Sequence, residues 1–135
     1  MAKRVWSGIL LFGPVVARAM SQLRSEPFPF TSGGDPLSGV LHLPPEPPVA
    51  AVVTTGPLTS VKEQATGAYA RALAERGFVA LAFDHRTFGQ SEDEPRQFEH
   101  PEHKADDVRA AVTGLEAHAR TRDLPVLAVG VCAER

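Results

Sequence analysis

Three short apolar runs set the limits on this chain: Ala50-Ala51-Val52-Val53-Thr54, Phe78 to Phe83, and Val126 to Val131. Runs of five or six residues bounded by proline, glycine or aspartate read as buried strands, because they are too short for helices. Two stretches of helical spacing separate them. The first opens on Ser60-Val61-Lys62-Glu63, a capping-box pattern, and ends at Gly77. Its expected apolar face is Ala65, Ala68, Tyr69, Ala72 and Leu73. The second opens on Pro101, which suits a first helical turn, and carries Ala105, Val108, Ala111, Val112, Leu115 and Ala119 as a stripe. Glu102, Asp106 and Asp107 come early in it and His118, Arg120 and Arg122 late, as the helix dipole favours. Alternating strands and helices bury their apolar faces by forming a parallel sheet with crossover helices, so the class is α/β.

Ahead of these units, Phe28-Pro29-Phe30-Thr31 and Leu37 to Leu43 flank Ser32-Gly33-Gly34-Asp35. Two glycines free to take positive φ make this an antiparallel hairpin at one end of a mostly parallel sheet. Leu37, Gly39, Leu41 and Leu43 alternate with Ser38, Val40 and His42, giving an inner and an outer face. Leu43-Pro44-Pro45-Glu46-Pro47-Pro48 is a stiff connector, a use favoured over a proline-recognition ligand.

Residues 1–24 form a segment apart from the domain of residues 25–135. Lys3 and Arg4 precede an apolar stretch ending near Ala17-Arg18-Ala19, the outline of a secretory signal. A packing helix, or residues upstream of a start at Met20, are the other readings. Ser7, Gly8, Gly13 and Pro14 interrupt the stretch, so no membrane span is expected. A cytoplasmic protein is expected, with export as the alternative. Net charge is −2 over 135 residues, which gives no electrostatic footprint for nucleic acid. One cysteine excludes an internal disulfide framework and any paired-cysteine metal site. His100 and His103, flanked by Glu99 and Glu102, are the nearest approach to a metal pair. A solvated helix start is the favoured reading of them, and no metal or cofactor is expected.

Ligand sites in open α/β sheets lie beyond the carboxyl ends of the strands. Here those ends are Thr55 to Ser60, Asp84 to Ser91 and Gly130 to Arg135. A Rossmann-like nucleotide-binding domain is the less favoured alternative, because a dinucleotide site would need three glycines in the first loop and Gly56 is the only one there. Together the loops resemble those of the α/β-hydrolase superfamily, closest to its bacterial dienelactone-hydrolase-like and peptidase-like branch. The resemblance rests on Thr55-Gly56-Pro57-Leu58-Thr59-Ser60-Val61-Lys62-Glu63-Gln64, on Phe83-Asp84-His85-Arg86-Thr87-Phe88-Gly89-Gln90-Ser91, and on Gly130-Val131-Cys132-Ala133. It runs from about Phe28 to Ala133 and implies the leading part of a hydrolase fold, with two crossover helices.

That resemblance implies a nucleophile elbow with Cys132 as nucleophile, acting on an ester, thioester or related acyl substrate. It implies an oxyanion hole from the Gly56–Leu58 backbone and Ala133. Pro57 has no N–H, so Leu58 is the preferred donor and Gly56 the second. Asp84, Arg86, Gly89 and Ser91 correspond to a structural turn in which Thr87 stands where the family has glycine. Asp84 or His85 as catalytic acid or base is the alternative to that structural role. The family's acid and histidine follow its nucleophile, whereas here the elbow is followed only by Glu134 and Arg135. The sequence therefore predicts a hydrolase truncated at its elbow and inactive by itself. A non-catalytic fragment completed by a complementary chain is the alternative, with Val126 to Val131 as an open edge for that chain or for self-association.

Overall fold

A computed structural model describes residues 23–57, 61–98 and 100–131. The elements among them are β1 (Arg24–Pro27), β2 (Phe30–Ser32), β3 (Asp35–Leu37), β4 (Gly39–Leu43), β5 (Ala50–Thr55), α1 (Ala65–Glu75), β6 (Phe78–Phe83), α2 (Pro101–Ala117) and β7 (Val126–Gly130). The three apolar runs are β5, β6 and β7, and they lie parallel in the order β6-β5-β7. β4 joins β6 antiparallel and β1 joins β4 antiparallel, completing a sheet ordered β1-β4-β6-β5-β7. β2 and β3 form a separate hairpin whose turn uses Gly33 at φ +59° and Gly34 at φ +88°.

The chain steps from β5 to β6 on one side and then back across β5 to β7. Crossovers of one hand running in opposite directions place their helices on opposite faces. On the first face, Ala70 of α1 lies over Ala80 and Ala82 of β6. On the second, Ala111 and Leu115 of α2 meet Leu41, Val53, Leu81 and Phe83, with Phe28 and Leu37 closing the cluster. The alternation expected in β4 holds: Gly39, Leu41 and Leu43 are buried, and Val40 and His42 only partly so.

Four details depart from the sequence reading. The run from Leu37 to Leu43 divides at Ser38, whose carbonyl accepts the Asp84 N–H at 2.9 Å and whose N–H donates to Ser91 Oγ at 2.9 Å. Ser38 is thus drawn to the turn after β6, out of the hairpin. Secondly, α1 begins at Ala65, not at the capping box. Lys62 is pulled toward Asp84, and Glu63 pairs with the Lys62 ammonium at 3.0 Å. Thirdly, the buried side of α1 is Thr66, Gly67, Ala70 and Ala74, while Tyr69 is 52% exposed. Small residues let this helix sit close on the alanines of β6. Finally, α2 ends at Ala117, so His118, Arg120 and Arg122 lie beyond it.

β7 ends the sheet among the described residues, with Leu127 52% exposed. No helix among the described residues is long and apolar enough to cross a membrane. The expected leader, residues 1–19, lies outside the described residues.

Candidate functional site

The carboxyl ends of β5, β6 and β7 lie side by side, and each continues into one of the three loops the sequence singles out. Thr55 pairs in register with Gly130, and the Val131 N–H donates to the Thr55 carbonyl at 2.8 Å. The residue before Gly56 and the residue before Cys132 are therefore tied together. Leu58, Cys132 and Ala133 themselves lie outside the described residues. Gly56 is described, and its carbonyl accepts from Lys104 Nζ at 3.1 Å.

Asp84, directly after β6, is fully buried. Its Oδ1 accepts the Lys62 N–H at 2.7 Å, and its Oδ2 accepts Lys62 Nζ at 2.8 Å and the Gln90 N–H at 2.9 Å. Lys62 is also buried, at 5% exposure, and donates to Gln90 Oε1 at 2.7 Å. Burial alone would pull the Lys62 pKa down, but the hydrogen bonds to Asp84 and Glu63 outweigh it and raise it. Ser91 Oγ donates to the Asp84 carbonyl while accepting from Ser38. Arg96 closes the turn through the Ser91 and Gly89 carbonyls, at 2.6 and 2.8 Å. The Asp84 carboxylate thus accepts from three donors, two of them on Lys62 and one on Gln90.

Thr87 shows why glycine suits its position: it holds φ +72°. A β-branched residue there is strained, and four hydrogen bonds hold it in place. Its N–H and carbonyl bond Glu92 and Gln97 at 3.1 and 2.8 Å, and its hydroxyl both donates to and accepts from the Phe98 backbone, at 2.9 and 3.1 Å. Gly89 holds φ +53°, and a Cβ there would collide with the Asp84 carboxylate. Gly34 has a similar φ of +88° with nothing nearby. Gly34→Ala should therefore show the backbone cost alone, about 1–2 kcal/mol. Gly89→Ala should melt several degrees lower than Gly34→Ala, and equal melting temperatures would show that the carboxylate yields freely.

The sequence reading placed Asp107 among the charges that favour a helix N-terminus. It is instead fully buried, on the core side of α2. Its Oδ1 accepts Arg86 Nε at 2.8 Å, and its Oδ2 accepts the Arg86 N–H at 3.0 Å and faces His85 Nδ1 at 3.2 Å. Burial works to raise its pKa, but the bonds from His85 and the Arg86 N–H outweigh it and hold the carboxyl below its usual range. Asp107, Ala111 and Leu115 are four apart and lie on one row of the helix, the signal that marks Asp107 as inward-facing. Arg86 reaches further, to the His103 carbonyl at 3.2 Å and toward Asp35 at 3.9 Å. His85 Nε2 meets Thr55 Oγ1 at 3.1 Å, and its ring lies 4.6 Å from that of Phe83. In the tautomer that donates its Nδ1–H to Asp107, His85 Nε2 accepts from the Thr55 hydroxyl.

His100 and His103 stack with ring centroids 4.5 Å apart. Among the described residues, no group of three or more His, Cys, Asp or Glu is placed to hold a metal ion.

No family model matches the chain. It is 37% identical over 111 residues to the uncharacterized protein YcjY of Escherichia coli, a match covering 77% of this chain and 36% of that one. A hypothetical protein of Pseudomonas aeruginosa, known as a crystal structure, superposes with a TM-score of 0.77 at 33% identity, covering 82% of this chain and 36% of that one. An α/β serine hydrolase without a lid from Xanthomonas campestris superposes with a TM-score of 0.64 at 26% identity, over 79% of this chain and 50% of that one. The chain thus spans 36% of the length of its curated relative YcjY. Over the residues it shares with these structures, the chain has the fold of the α/β hydrolases.

Proposed function

We propose that this chain supplies the oxyanion loop and the nucleophile position of an acyl hydrolase acting on esters or thioesters. The observation that carries the reading is the bond from Val131 to Thr55, which holds the strand leading to Cys132 against the strand leading to Gly56. Cys132 as thiolate attacks the acyl carbon, and a C–S bond forms as the carbonyl π electrons move to oxygen. The Leu58 and Ala133 N–H groups, with Gly56 as the second choice in the first loop, receive that oxyanion. One such donor is worth about 2.7–4 kcal/mol in the transition state. Collapse expels the alcohol or thiol with a proton, and water then cleaves the acyl-cysteine to a carboxylic acid and the free thiol. Asp84, Arg86, Gly89 and Ser91 shape the turn alongside.

The catalytic acid and histidine of this superfamily follow the nucleophile in chain order, so the test joins the chain to the part of YcjY beyond its matched residues. The chimera is expected to hydrolyse an activated short-chain ester and to carry a trapped acyl group on Cys132. The chain by itself is expected to give no turnover. Activity that survives Cys132→Ala in a chimera with a cooperative melt would overturn the assignment.

A second reading, favoured by the exposure of Leu127, is that β7 pairs with a strand of a complementary chain or of a second copy. The chain should then associate as its concentration rises, and Leu127→Lys should hold it monomeric in sedimentation. A wild-type monomer at all concentrations would exclude self-pairing.

A further inference from the structure

Two residues of α2 reach the end of β5 by different routes. Lys104 and Asp107 are three apart, hence on one face of the helix. Lys104 Nζ donates directly to the Gly56 carbonyl at 3.1 Å. Asp107 acts at one remove: its Oδ2 lies 3.2 Å from His85 Nδ1, and His85 Nε2 lies 3.1 Å from Thr55 Oγ1. His85 is 9% exposed and packed beside Phe83, so the ring has little room to turn. Asp107 cannot follow it either, because Arg86 holds both of its oxygens.

We infer that His85 is a positioning residue for the loop after β5, held by Asp107 and fixing Thr55 one residue before Gly56. This rests on the reading of that loop as the oxyanion loop. Lys104 sets the Gly56 carbonyl and His85 sets the Thr55 side chain, so the peptide planes leading into the loop are oriented before any substrate arrives. Donors fixed in advance need no reorganisation during the reaction. Thr55 carries the effect across the sheet as well, since its carbonyl receives the Val131 N–H. Asp107 faces His85, and Arg86 from the same loop pairs with Asp107, with Asp35 of β3 against Arg86.

The test is NMR on the chain itself, so it needs no turnover. By side-chain length, a glutamine amide reproduces Nε2 and an asparagine amide reproduces Nδ1. His85→Asn should move the Thr55 and Gly56 amide resonances and speed exchange of the Val131 N–H about fivefold, the worth of one hydrogen bond. His85→Gln should stay close to wild type at those three positions. Thr55→Val, which keeps the strand's shape and removes the hydroxyl, should move the Gly56 amide resonance in the same way as His85→Asn. His85→Asn and His85→Gln perturbing the loop equally, or a Gly56 resonance left at its wild-type position by Thr55→Val, would overturn the inference and leave His85 as packing. A chimera without hydrolysis leaves these resonances untouched, so failure of the hydrolase reading is told apart from failure of this one.

Discussion

Asp107→Ala is expected to destabilise the fold by about 3–5 kcal/mol, the usual cost of removing one partner from a buried ion pair. That is a large part of the ~5–15 kcal/mol that holds a domain together. The cause is specific. Arg86 keeps a buried guanidinium, and its N–H and the His85 Nδ1–H lose the carboxylate they share. The hairpin should suffer as well, because Arg86 lies under its turn: a Cβ on Gly33 would sit 2.7 Å from Arg86 Nη1. The pH dependence has a definite sign. With its pKa lowered in the fold, Asp107 contributes its full stability above the unfolded value near ~3.9. That contribution disappears as pH falls through the lower folded value. The stability gap between wild type and Asp107→Asn should therefore be constant at neutral pH and close in acid. Denaturant melts at a series of pH values measure it. A gap below about 1 kcal/mol at pH 7, or one that widens in acid, would show that Asp107 does not anchor this corner.

The parts of the fold that came through from the sequence are those whose signal is apolar and local. β5 and β6 are buried on both faces by the crossover helices, and continuous runs such as Phe78 to Phe83 record it, whereas β7, the last strand of the sheet among the described residues, leaves Leu127 and Ala128 exposed. The hairpin is recorded by Gly33 and Gly34, both at positive φ. β1 left no such mark. Arg24, Ser25, Glu26 and Pro27 hold no core residue, and the strand exists because β4 offers it an edge. The face of α1 was misjudged because hydrophobicity was followed where closeness decided the packing. Gly67, Ala70 and Ala74 face the sheet because they are small, and Tyr69 faces solvent because it is large. Of the candidate site, the turn from Asp84 to Ser91 was legible as a motif, but its partners were not. Lys62 and Asp107 are distant in sequence from the groups they neutralise, and charge in a helical stretch ordinarily means a solvated face. Only the spacing of Asp107 from Ala111 and Leu115 pointed inward.

Lys62 gives the second large effect, with the opposite dependence on pH. Lys62→Met keeps most of the side chain's volume and removes the ammonium from a carboxylate that is 0% exposed. Asp84 would retain the Lys62 and Gln90 N–H groups but no compensating charge. The expected loss is again about 3–5 kcal/mol. Asp84→Asn should be milder, because Lys62 keeps Glu63 at 3.0 Å and Gln90 at 2.7 Å. Lys62→Met on the Asp84→Asn background should cost less than it does alone, since the buried charge it would strand is already gone. That difference, the coupling in a double-mutant cycle, should fall within the ~0.5–3 kcal/mol seen for contacting residues. Because the Lys62 pKa is raised in the fold, its contribution is complete below the unfolded value near ~10.4 and fades as pH climbs through the folded one. Wild type and Lys62→Met should therefore differ by a constant amount from neutral pH to about 10 and converge only above it. Lys62 lies just past the loop that begins at Gly56, and its bonds to Asp84 tie the far end of that loop to β6 as His85 and Lys104 tie the near end. Loosening either end should free the same backbone, so Lys62→Met should also speed amide exchange at Gly56. A variant that melts with wild type, or one that melts lower with Gly56 exchange unchanged, would show that the two ends of the loop are held independently.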